Sequence, residues 1–180
     1  MPRYTHTAIA LHWLIALLIV GAFTLGLVMT DIPGITPAKL RYYNWHKWAG
    51  VTVLLLAALR LLWRLGHRPP PLSPATPAWQ RRASGGVHHL LYVLMFAVPL
   101  TGYFLTLAAG GRVVYFGLFK LPVLIAPNKP LAEVLAPTHE WLNWLMAAIV
   151  ALHVLAALKH AFIDRDDTMR RMLPGRNRPS

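Results

Sequence analysis

Residues 139–158 read HEWLNWLMAAIVALHVLAAL, an apolar run with His139 at its head and His153 near its end. About 20 apolar residues in a helix cross the hydrocarbon core of a bilayer. The 14 steps from His139 to His153 leave a rotation of about −40° at 100° per residue, so both imidazoles share one helix face. They lie about 21 Å apart along the axis at 1.5 Å per residue. An ionisable side chain inside a span is costly, which makes each a functional candidate.

Three more runs have the same character. The expected spans are about 8–29, 45–65, 88–109 and 139–163. The 180 residues are 56% hydrophobic and only 13% charged, with a mean hydropathy of +0.46. That balance excludes disorder and a soluble globule. A formal charge of +12 could by itself suit nucleic acid. Mixed with long apolar runs, it points to a membrane protein with cationic loops and no nucleic-acid partner. The fold expected is an all-α, four-transmembrane-helix bundle forming a single domain, 1–180. The first run is longer than a signal-peptide core and no A-x-A site follows it, so it is expected to stay as a span. The absence of cysteine removes disulfides, Fe–S clusters, Cys-ligated zinc and covalently attached haem.

Between the spans, 66–85 carries Pro69, Pro70, Pro71, Pro74 and Pro77 and reads as extended. Residues 30–44 carry Pro33, Gly34 and Pro37. In 110–138, Val113–Ile125 is too short to span and reads as interfacial cover, with Leu131–Leu135 one helical turn. Arg60 and Arg64, one turn apart, are expected to snorkel to the interface. Twelve Lys and Arg fall on the side of the termini and 60–85, including Arg176 and Arg178, against six on the other. Both termini are therefore expected in the cytoplasm.

Helix direction then matches the histidines by depth. His12 and His153 lie toward the cytoplasm, while His46 and His139 open their spans on the far side. Two axial imidazoles are what a low-spin haem iron takes, and a four-helix bundle can enclose the disc. Gly50, one turn beyond His46, offers room for it. A lone membrane histidine is also a common interhelical hydrogen bonder, and zinc takes His but normally needs a third protein ligand.

The chain resembles the prokaryotic cytochrome b561 family, which includes the membrane cytochrome b subunits of formate dehydrogenase and nickel–iron hydrogenase. The motifs are Ala10-Leu11-His12-Trp13-Leu14, Asn44-Trp45-His46, His89-Leu90-Leu91-Tyr92 leading to Pro99-Leu100-Thr101-Gly102, His139-Glu140 with His153, and Asp166-Asp167-Thr168-Met169 through Met172-Leu173-Pro174. The resemblance implies two non-covalent, bis-His haem b groups: an inner one on His12 and His153, an outer one on His46 and His139. It also places a histidine at His89, for which a structural role is favoured. His6 and His67 read as surface residues, and Pro99 with Gly102 as a kink.

Two such haems form an electron path across the membrane. His46 and His139, at the edge of their spans, suggest an outer haem near the surface and an aqueous donor. The deeper inner haem suits a lipid-soluble acceptor. His160, seven residues after His153 on the same face, is a candidate hydrogen-bond donor to a quinone or else a solvated histidine. Some relatives oxidise superoxide and pass its electron to ubiquinone, so the resemblance favours superoxide as donor and ubiquinone as acceptor. Lys39, Arg41 and Lys47 around His46 could attract an anion, or meet propionates and lipid headgroups. The alternative function is a membrane anchor and electron relay for a dehydrogenase or hydrogenase partner. A haem-free transporter lacks a polar path in these spans.

Overall fold

In the computed structural model, which describes residues 3–71 and 76–174, the chain is four long helices: α1 (His6–Asp31), α2 (Pro37–Gly66), α3 (Ala78–Ala108) and α4 (Lys129–Phe162). All four are long and apolar enough to cross a membrane. The protein is thus all-α, with four helices able to span a membrane. Pro74, Arg176 and Arg178 lie outside the described residues.

Three helices begin well before their apolar runs do. α2 starts at Pro37, α3 at Ala78 and α4 at Lys129, where the sequence marked spans from 45, 88 and 139. Hydropathy reports hydrocarbon thickness, whereas a helix begins where its first amides find a cap. Thr36 Oγ1 accepts from the Lys39 amide and Asn128 Oδ1 from the Leu131 amide, each followed by a proline in the first turn. Leu131–Leu135 is therefore part of α4. The helix also carries Pro137 inside it, and α3 carries Pro99.

Val113–Ile125 contains a hairpin of β1 (Val114–Tyr115) and β2 (Phe119–Lys120), turned through Phe116 and Gly117 at positive φ. It docks on α2. Trp48 Nε1 donates to the Val114 carbonyl at 2.7 Å, Thr52 and Tyr115 share a hydroxyl bond at 2.9 Å, and Val113 is buried. This end of the bundle is capped by the hairpin. At the other end the termini meet: Trp13 Nε1 donates to the Met172 carbonyl and Arg171 to that of Pro71. The bundle therefore runs up, down, up, down.

The core lies at mid-height: Ile15, Ala57, Leu94, Met95 and Met146 form one buried cluster. Met146 stands seven residues from both His139 and His153, so the core layer separates the two histidine levels.

Candidate functional site

Each helix carries the same 14-residue interval. His12 precedes Gly26 on α1, His46 precedes Arg60 on α2, His88 precedes Gly102 on α3, and His139 precedes His153 on α4. Antiparallel packing sorts these eight residues into two levels. One level holds His46, His139, Gly26 and Gly102. The other holds His12, His153, His88 and Arg60.

At the first level the His46 and His139 rings stand 6.1 Å apart, centroid to centroid, with planes at 90°. His46 Nδ1 lies 2.8 Å from the Ala22 carbonyl, and His139 Nδ1 lies 3.1 Å from the Val98 carbonyl and 3.1 Å from Thr101 Oγ1. A carbonyl only accepts, so Nδ1 carries the proton in both rings and Nε2 keeps its lone pair. That is the usual arrangement of a metal-binding histidine. The glycines make the fit possible. A Cβ on Gly102 would stand 2.8 Å from His139 Cε1, and one on Gly26 would stand 3.5 Å from His46 Cε1. Beside these rings lies a cavity of about 550 Å³, lined by His46, His139, Gly50, Gly102, Met95 and Met146 and reaching Tyr43 and Lys47. Its size is that of a cofactor site.

At the second level the His12 and His153 rings are 6.0 Å apart at 74°. His88 adds a third imidazole, 5.3 Å from His153, with Nδ1 donating to the Ser84 carbonyl at 2.7 Å. Arg60 Nη1 donates to His12 Nδ1 at 3.0 Å. The expectation that Arg60 snorkels outward is therefore corrected. Its stem follows α2 to the His12 level and turns inward, while Arg64 stays exposed and lies over the Tyr92 ring. His88 and Arg60 were missed as site residues. Their 14-residue registers with Gly102 and His46 are the signal that could have found them. His89, favoured as structural, is exposed and donates to the Gly85 carbonyl. His6 and His67 are exposed, and His67 stacks on Trp63.

The helices run on past the histidines at both levels. His46 and His139 sit nine and ten residues inside α2 and α4, while His12 and His153 sit six and nine residues from their helix ends. Neither pair is at the edge of its helix. Of the three cations suggested near His46, only Lys47 lines the cavity. Lys39 Nζ is bound to the Ile32 carbonyl at 2.7 Å, and Arg41 is exposed.

His160 is not merely solvated. Its Nδ1 stands 2.7 Å from Asp166 Oδ2 and 3.2 Å from Asp164 Oδ2. Lys159 holds both Asp164 oxygens, and Asp166 is engaged by His160 and by the Thr168 amide. Burial pushes the Asp166 carboxyl up, but hydrogen bonds from Thr168 and His160 pull harder and hold it below its ordinary 3.8. Its stabilising contribution is complete above that ordinary value and is lost as pH falls through the lowered one. Asp166→Asn should therefore loosen residues 163–174 at pH 7, and the difference from wild type should vanish in acid. Hydrogen exchange of this segment against pH measures it, and an undiminished difference at acid pH would contradict the assignment.

Residues 3–175 match the profile of the family described as prokaryotic cytochrome b561. The cytochrome b561 homolog 2 of Escherichia coli K12 is 34% identical over 171 residues, covering 95% of this chain and 91% of that protein. Homolog 1 of the same organism is 30% identical, covering 98% and 99%. The probable superoxide oxidase CybB of Yersinia pestis is also 30% identical, covering 96% of each chain. With the match running through all four helices and both histidine levels, this chain belongs to the prokaryotic cytochrome b561 family of membrane haem proteins.

Proposed function

We propose that the chain holds two haem b groups, an inner one between His12 and His153 and an outer one between His46 and His139. On this reading it is a superoxide:ubiquinone oxidoreductase. The observation that carries the two-haem reading is the pair of imidazole separations, 6.0 and 6.1 Å. Two rings bonded to one metal from opposite sides, each through a bond of about 2 Å, have centroids about 6 Å apart.

The donor set suits the group at both levels. At the outer level both Nε2 atoms are free to ligate, and the glycines and the apolar cavity leave space. At the inner level His12 must give up its bond from Arg60 so that Nδ1 can carry the proton. When bound, haem supplies one-electron storage at each level. The chain's own residues do the rest. Met95 and Met146, buried between the levels, exclude water from the path. Ala22, Val98 and Thr101 hold the outer imidazoles in the ligating tautomer. The Lys and Arg excess on the side of the termini orients that end to the cytoplasm.

In the overall reaction two superoxide ions each give up one electron and become dioxygen. Ubiquinone takes the two electrons and two protons and becomes ubiquinol. The similarity to a protein described as a probable superoxide oxidase favours this donor. Lys47 in the cavity lining supplies a cation on the approach. At the cytoplasmic end His160, oriented by Asp166, is the proposed partner of the quinone. Its Nδ1–H is engaged by the carboxylates, so Nε2 accepts from a quinol hydroxyl in the neutral ring and donates to a quinone oxygen in the protonated ring.

The first test is a reduced-minus-oxidised spectrum of the detergent-purified chain, with haem measured per polypeptide. Two b-type haems are expected. One means that a histidine pair is structural, and none overturns the reading. The second test supplies superoxide and a ubiquinone analogue. Turnover without any other protein is expected, and its absence favours the role of a relay for a partner subunit. The rate should also fall as salt rises, because attraction to Lys47 is screened over about 10 Å at 0.1 M ionic strength. Lys47→Gln should lower kcat/KM for superoxide and flatten that dependence. A salt-insensitive rate would remove the steering role.

A further inference from the structure

We infer that Arg60 and Tyr92 form the receptor for a carboxylate of the inner haem, a proposal that rests on the two-haem reading above. A cation placed inside a span needs a partner, because an unpaired charge in hydrocarbon is costly. Arg60 turns inward to the His12 level, and among the described residues no carboxylate pairs with it. Its hydrogen-bond acceptor there is His12 Nδ1 at 3.0 Å, a neutral nitrogen that brings no countercharge.

Next to it is a second unmet demand. The Tyr92 hydroxyl is buried and its polar neighbour is Arg60 itself, a donor, so its own proton has no acceptor among the described residues. The Arg60 guanidinium stands 5.9 Å from the centre of the Tyr92 ring. A buried hydroxyl whose proton lacks an acceptor is destabilising. One carboxylate would accept from both groups and supply the missing charge, since a guanidinium fork suits a planar carboxylate. Haem b carries two such groups on one edge.

The same move settles His12. A guanidinium engaged by a carboxylate releases Nδ1, which can then carry the proton and leave Nε2 to the iron. Arg60 is therefore a positioning residue for the inner ligand as well as an anchor for the disc. The outer level has glycines at the corresponding registers and needs no such exchange.

The experiment compares wild type, Arg60→Leu and Arg60→Lys as full-length chains in detergent, reading haem per polypeptide and the midpoint potential of each haem. Arg60→Leu should weaken retention of the inner haem about tenfold or more, the loss of a charge-assisted bond. Any inner haem that remains should have a lower midpoint potential, because a fixed cation favours the reduced form. Arg60→Lys should restore retention in part, with the outer haem unchanged throughout. Both haems kept at unchanged potentials in Arg60→Leu would overturn the inference. A wild type with fewer than two haems would instead overturn the reading beneath it.

If Arg60→Leu fails to fold, shown by loss of the outer haem too, wild-type chain made without haem decides the matter. It is loaded with haem b or with its dimethyl ester. An ester that fills the outer level and not the inner supports the carboxylate receptor. An ester that fills both equally refutes it and assigns Arg60 to another anion, such as a lipid phosphate.

Discussion

On the proposed two-haem reading, His153→Ala should leave one haem per chain in place of two, with the proposed superoxide-driven quinone reduction falling to background. His153 faces His12 at 6.0 Å, and removing it deletes one of the two proposed ligands at that level. His46 and His139 sit about 21 Å away along the bundle at 1.5 Å per residue. Met95, Met146 and Leu94 lie packed between. Sites so far apart with no shared partner respond independently. The outer haem should therefore keep its absorption and potential. His46→Ala should do the reverse, emptying the outer level and sparing the inner. Spectra, haem content and potentiometric titration of both variants give the answer. Loss of only the outer absorption in His153→Ala would exchange the assignments. His88 adds a sharper point, because its ring is 5.3 Å from His153. If His12→Ala retains the inner haem, His88 has taken the vacated side.

The second large effect is expected at Gly102. A Cβ there would stand 2.8 Å from His139 Cε1 and 3.3 Å from its Nδ1. The ring cannot readily swing away, because the Val98 carbonyl and Thr101 hydroxyl hold Nδ1. Overpacking of this kind costs about 1–3 kcal/mol, and here it also tilts a proposed ligand. Gly102→Val should lose the outer haem, keep the inner one and lower Tm. Gly26→Ala is the control, since its Cβ meets His46 at 3.5 Å, an ordinary contact. It should retain both haems. Equal retention in the two variants would show that Gly102 does not set the position of His139.

The membrane class, the four spans and the two histidine depths were legible in residues alone, for reasons that are local. Bilayer thickness fixes how long an apolar run must be, and helical geometry fixes that His139 and His153 share a face. Helix starts were not legible from hydropathy, because caps such as Thr36 and Asn128 act outside the apolar stretch. Nor was the inward turn of Arg60. A long cationic side chain near a helix end can snorkel outward or bend in, and its neighbours on other helices decide which. His88 and His89 differ by one position on α3, and only the packing of α3 against α4 brings His88 rather than His89 to His153. The 14-residue interval is written into every helix, yet which residues face each other depends on which helices are antiparallel neighbours. Sequence by itself therefore determined what could cross the membrane and which residues shared a level. The tertiary structure decided which of them meet, because contacts between helices are set by packing that no single helix encodes.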